Sequence, residues 1–171
     1  MGSRNARQSG SMLLEFTLVG VPLIFLLVSV FELCRGMWTY HMVGASVKAG
    51  TRYAVVHGQD CAVPPNTCLI TIGDIAGRIK ASGRGLLWDQ FNVNFVAGDG
   101  TTITCAPLNS CFSNGTTWPP LTANAVGKSV QTSGTYPFRS IISMFWPGNG
   151  MPSGTLGSTN FTAVSQEPIQ F

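Results

Sequence analysis

Residues 9–34 read SGSMLLEFTLVGVPLIFLLVSVFELC, and from Phe16 to Phe31 they carry no charge at all. With the residues around Glu15 and before Glu32 the apolar run extends from Ser11 to Cys34. About twenty apolar residues let a helix cross the hydrocarbon of a bilayer, so the run predicts one membrane span. Pro22 falls inside it, a position that a membrane helix tolerates with a bend when neighbouring groups satisfy the freed carbonyl. Glu15 is out of place in an ordinary anchor. An ionised side chain within the hydrocarbon costs about 2.5–3.5 kcal/mol on insertion scales, so a carboxylate kept there calls for a cation.

Charges flanking the run do not orient it. Arg4 and Arg7 precede it with no acid beside them, the start of a positive-inside signal, but Arg35, Lys48 and Arg52 follow closely. The cysteines carry the orientation instead. Cys34 ends the apolar run, whereas Cys61, Cys68, Cys105 and Cys111 lie in the polar part. Four such cysteines read as two disulfides with three possible connectivities, of which the local pairs Cys61 with Cys68 and Cys105 with Cys111 are the simplest. A four-thiolate zinc site is the competing reading, but neither pair has the C-x-x-C spacing of a zinc knuckle. Disulfides need an oxidising compartment, which puts the C-terminal part outside the cytoplasm and the N-terminus inside it. A cleaved signal peptide fits less well, because the apolar region is too long and no small-x-small site follows it. A lipoprotein at Cys34 would need small residues where Glu32 stands.

Only 10% of the 171 residues are charged, against about a quarter in ordinary soluble domains. The net charge of +3 is spread thinly, with none of the basic clustering that follows nucleic acid phosphates. Length and composition allow one compact domain plus an anchor.

No proline interrupts the chain between Arg35 and Val56. Tyr40, Val43, Val47, Gly50 and Ala54 recur at three- and four-residue spacing, with His41, Lys48 and Arg52 on another face, so the helix is expected to continue past the membrane. Unbroken from Ser11 to His57 it would be about 70 Å long, and Gly58, Cys61 and Pro64-Pro65 would end it. Ile75, Ile79 and Leu86 predict a short second helix starting near Asp74 and limited by Gly83 and Gly85. Phe91 to Val96 alternates apolar and polar residues, and across Gly98-Asp99-Gly100 the threonine-rich run to Cys105 completes a hairpin. Val126–Tyr136 and Thr155–Ser165 are two further predicted strands. The expected fold class is α+β: a long N-terminal helix and a small antiparallel sheet, one face of which is covered by the outer part of that helix.

No catalytic, metal or cofactor site can be assembled from these residues. His41 and His57 stand sixteen apart with no metal-ligand spacing. Gly98-Asp99-Gly100 and Gly148-Asn149-Gly150 read as turns, and no serine sits in G-x-S-x-G. Trp118, Trp146 and the segment from Phe138 to Trp146 either complete the core of the sheet or form an exposed apolar patch.

Gly10-Ser11-Met12-Leu13-Leu14-Glu15-Phe16-Thr17-Leu18-Val19 with Pro22, then Phe31-Glu32-Leu33 with Arg35, then Gly50-Thr51-Arg52-Tyr53-Ala54, resembles the N-terminal signature of TadE-like pseudopilins. The C-terminal part, with Tyr136-Pro137-Phe138 and a last strand leading to Glu167, is also similar to that family. The four outer cysteines are not part of the family pattern. The resemblance implies a non-enzymatic minor pilin of the tight adherence (type IVb) pilus machinery, with no cofactor. It implies a bacterial inner-membrane protein of single-pass topology: residues 1–10 a cytoplasmic leader, 11–34 the transmembrane helix, 35–58 its periplasmic continuation and 59–171 the disulfide-containing α+β domain. A prepilin peptidase would cut between Gly10 and Ser11, making Glu15 the fifth mature residue. Other pilin subunits and inner-membrane platform proteins would be the partners in a hetero-oligomer or filament. Ser11 departs from the Phe or Met common at that position. The rival expectation is an unprocessed, membrane-tethered periplasmic binding domain.

Overall fold

The computed structural model describes residues 5–58, 60, 61, 68, 70–141 and 158–170. Helix α1 runs without a break over Asn5–Val55, through Pro22, for 51 residues or about 75 Å. It ends two residues short of the expected His57. Helix α2 spans Ile72–Ser82 and begins with a capping box, Thr71 and Asp74 each bonding the other's backbone amide. That reciprocal pair satisfies two of the donors a helix start leaves open, and Gly83 closes the far end as expected.

Four antiparallel strands follow: β1 (Asn92–Ala97), β2 (Thr102–Cys105), β3 (Ser129–Arg139) and β4 (Ser158–Pro168), in the spatial order β2-β1-β3-β4. The registers Val93 to Gly134, Phe95 to Thr132 and Ala97 to Val130 put these residues on one face, and all six are buried. Beside them Ala163 and Ser165 of β4 pair with Gly134 and Thr132. This is the face that receives α1, so the sheet has the one-sided burial typical of antiparallel sheets.

The outer half of α1 is therefore part of the core. Val43, Val47, Ala54 and Val55 are buried with Phe91, Phe95 and Ile79 in a single cluster. Two glycines permit the closeness. A Cβ on Gly134 would lie 2.6 Å from Val47 and 2.7 Å from the Phe91 ring, and one on Gly50 would lie 2.5 Å from Ile79. At the helix top the Gln170 amide donates to the Val55 carbonyl at 3.1 Å, fastening the chain's end to the end of α1. Of the stripe read from the sequence, Tyr40 alone is exposed, at 53%.

The sequence placed β3 about three residues too early and ended β4 three residues too soon. Gly127 has φ +84°, a left-handed turn conformation, so β3 starts after it rather than at Val126. It runs on through Pro137, because β1 pairs only as far as Thr135 and beyond that β4 is the strand's one described neighbour. A proline whose missing N–H faces that open side costs no ladder bond. β4 continues past Ser165 to Pro168, pairing with the start of β3. Trp118 is buried beside Phe95, their rings 6.1 Å apart, and Phe138 belongs to β3. Ile142, Met144, Phe145, Trp146 and the expected strand start at Thr155 lie outside the described residues.

Candidate functional site

Two groups of residues on α1 carry the chemistry, one in its apolar half and one where that half ends. No residue of the apolar half from Met12 to Phe31 is buried. Met12, Phe16 and Leu18 are each more than 70% exposed, and Phe25, Leu26 and Leu27 stand at 59%. This helix is long and apolar enough to cross a membrane, with none of its most apolar window buried. Its hydroxyls turn inward: Thr17 donates to the Leu13 and Leu14 carbonyls at 3.0 Å, and Ser29 to the Phe25 carbonyl at 2.8 Å. Such back-bonding hides a polar group in an apolar setting. Glu15 has no equivalent. It is exposed on the helix, and no described group pairs with it. The Gly10–Ser11 bond lies within α1, about one helical turn before it.

At the end of the apolar half the carboxylate is treated differently. Glu32 is 6% exposed. Arg35 donates to it through two nitrogens, at 3.2 and 3.1 Å, and the backbone amide of Ile141 adds a third bond at 3.1 Å. Arg35 also donates to the Arg139 carbonyl, and its guanidinium stands 4.6 Å from the centre of the Phe138 ring. Phe138 stacks on Phe161 at 5.1 Å, and Tyr40 meets Phe161 edge-on at 5.8 Å. The fork of an arginine fits a carboxylate with two parallel bonds. These contacts tie the end of β3 to α1 just above its apolar half. The sequence offered Glu32 and Arg35 as charges bounding the run and as part of the TadE-like resemblance, not as partners; their three-residue spacing was the available signal.

Elsewhere the expected residues lie apart from these groups. The sulfurs of Cys61 and Cys68 and those of Cys105 and Cys111 are at bonding distance, with Cα separations of 5.2 and 5.7 Å. Cys34 is an exposed free thiol on α1. His57 shares a 2.6 Å hydrogen bond with the Tyr53 carbonyl, and His41 is exposed. No group of three or more His, Cys, Asp or Glu among the described residues could hold a metal.

Searches of curated proteins and of solved structures gave no match. The family model for TadE-like proteins matches residues 10–52. That segment holds the Gly10–Ser11 bond, Glu15, the Glu32–Arg35 pair and most of the helix face that enters the core. Over residues 10–52, then, the chain is similar to TadE-like proteins.

Proposed function

We propose that this protein is a minor pilin of a tight adherence pilus, a structural subunit and not a catalyst. In this reading α1 anchors it in the inner membrane with the N-terminus cytoplasmic and the disulfide-bearing domain periplasmic. A prepilin peptidase removes residues 1–10. The observation that carries the reading is Glu15: a carboxylate with no partner among the described residues, in an exposed apolar helix, five residues after a glycine, inside the segment that matches the TadE-like family. Cleavage after Gly10 would release the α-amine of Ser11, and a carboxylate in lipid is stabilised by just such a cation, on its own chain or a neighbour's. The apolar half of α1 then packs against helices of other pilin subunits or platform proteins.

Val43 and Val47 do not serve that packing, since the protein's own sheet covers them. Neighbouring chains would meet the other face of the outer helix, where His41, Ala45, Lys48 and Arg52 are exposed at helical spacing. Because Val43, Val47, Ala54 and Val55 complete the core, the helix is also part of the domain that the rival reading treats as a separate binding module.

The mass of the membrane-extracted protein tests the proposal. In cells that make the peptidase the chain should begin at Ser11, and Gly10→Ala should retain the full leader. An intact leader in the unaltered protein would refute processing and favour the unprocessed, tethered domain.

A further inference from the structure

We propose that the cleft at the foot of the globular domain binds the phosphate headgroup of an anionic phospholipid, in the leaflet from which α1 emerges. The cleft encloses about 510 Å³ and is lined by Arg35 and Trp38 of α1, Leu87 and Gln90 after α2, and Tyr136 and Arg139 of β3. Its height along the helix is set by the sequence. Arg35 and Trp38 follow Phe31, the last residue of the charge-free run, by four and seven positions, or about 6 and 10 Å along the axis. The headgroup layer outside the hydrocarbon is about 5–8 Å deep on each side.

Arg35 falls within that layer and Trp38 at its outer margin. Trp38 is 63% exposed and Leu87 54%, and Tyr40 is exposed on the same stretch of helix. Exposed Trp and Tyr at the end of a span form the aromatic belt seen at membrane interfaces. The charge is cationic. Glu32 is engaged by Arg35 and the Ile141 amide, and Arg139 has no carboxylate partner among the described residues. Two guanidinium groups against one carboxylate leave a net positive charge. Arg35 uses Nε and one terminal nitrogen on Glu32 and the Arg139 carbonyl, which leaves donors on its other terminal nitrogen. Planar guanidinium groups with free donors are well matched to phosphate oxygens. Apolar edges beside the cations would meet the glycerol and upper acyl carbons of the same lipid, a contact that free phosphate lacks.

The inference rests on α1 spanning the membrane and not on the pilus role. The full-length protein in neutral detergent is titrated with phosphatidylglycerol, phosphatidylcholine and inorganic phosphate, and retained molecules are counted by native mass spectrometry. Phosphatidylglycerol should be held about five-fold more strongly than phosphatidylcholine. Arg139→Gln, which keeps the backbone carbonyl used by Arg35, should lower its retention about five-fold, the effect of one cation near an anionic surface. Arg139→Lys should retain most of the preference, and Lys128→Gln, at the other end of β3, all of it. Equal retention of the two lipids, or indifference to Arg139→Gln, would overturn the proposal. Displacement of phosphatidylglycerol by an equal concentration of inorganic phosphate would assign the cleft to a free anion instead. Flotation with phosphatidylcholine vesicles reports insertion separately: protein that does not float removes the anchor and with it this site, whereas floating protein without headgroup preference removes the site alone.

Discussion

The two halves of α1 are one helix in two surroundings. From Met12 to Phe31 its apolar side chains point outward in every direction and no described part of the protein covers them. From Val43 to Val55 one face is buried against the sheet and α2 while the other carries His41, Lys48 and Arg52 nearby in solvent. Apolar character alone does not distinguish the halves; its distribution around the helix does. A helix apolar on all sides needs lipid or other chains, whereas a one-sided stripe is matched to a single surface of its own domain.

The comparison is broken most directly by paired truncations. Phe91→Ala, at the centre of the surface that receives α1, should cost about 3–5 kcal/mol of unfolding free energy. Phe25→Ala, in the exposed half, should stay within about 0.5 kcal/mol when urea unfolding is followed in detergent. Equal losses would mean that the lower half is packed as the upper half is. The boundary between the halves offers a second, smaller effect. Glu32→Ala leaves the Ile141 amide and Arg35 without their carboxylate, which should cost about 1.5–3 kcal/mol. It should also speed hydrogen exchange at the Ile141 amide, and unchanged exchange there would show that the tie does not hold β3 to α1.

The smallest effect sharpens how the upper half is supported. Thr71→Ala removes the cap of α2, whose Ile75 and Ile79 pack on α1, at about 1 kcal/mol. The Thr71 hydroxyl and amide donate to Asp74 and hold its carboxyl below the ordinary value of 3.8. A carboxyl depressed by folding stabilises the native state above its unfolded value. That contribution fades as pH falls through the lower, folded value. The difference between the parent and Thr71→Ala should therefore shrink in melts taken below about pH 4, and a difference that grew on acidification would contradict the capping role.

Local pattern made most of this fold legible. Helix period carried α1 and α2, and alternation with a glycine turn carried the hairpin of β1 and β2. The ends of β3 were lost because Pro137 reads locally as a stop, and only the strand order shows that its nitrogen faces an open side. Glu15 was legible because a carboxylate in an apolar run is conspicuous by itself. The Glu32 node was not, since Ile141 and Arg139 lie more than a hundred residues away along the chain. The neighbours of Val43 and Val47 were equally hidden: the stripe announces that something covers it, and tertiary structure alone says that the cover is the chain's own sheet.

The domain is riveted to α1 at two heights, by the Ile141 amide on Glu32 and Arg35 on the Arg139 carbonyl below and by the Gln170 amide on Val55 above. These fastenings are 23 residues apart on the helix, about 35 Å, so the sheet acts as a splint over that length. Flexure of the rod is left to the unsplinted half, where Pro22 already lacks one backbone bond. The lever from Pro22 to Val55 is about 50 Å long. Each degree of bend at Pro22 would swing the head of the domain by about 0.9 Å, turning small changes of angle in the lower half into large displacements at the outer end.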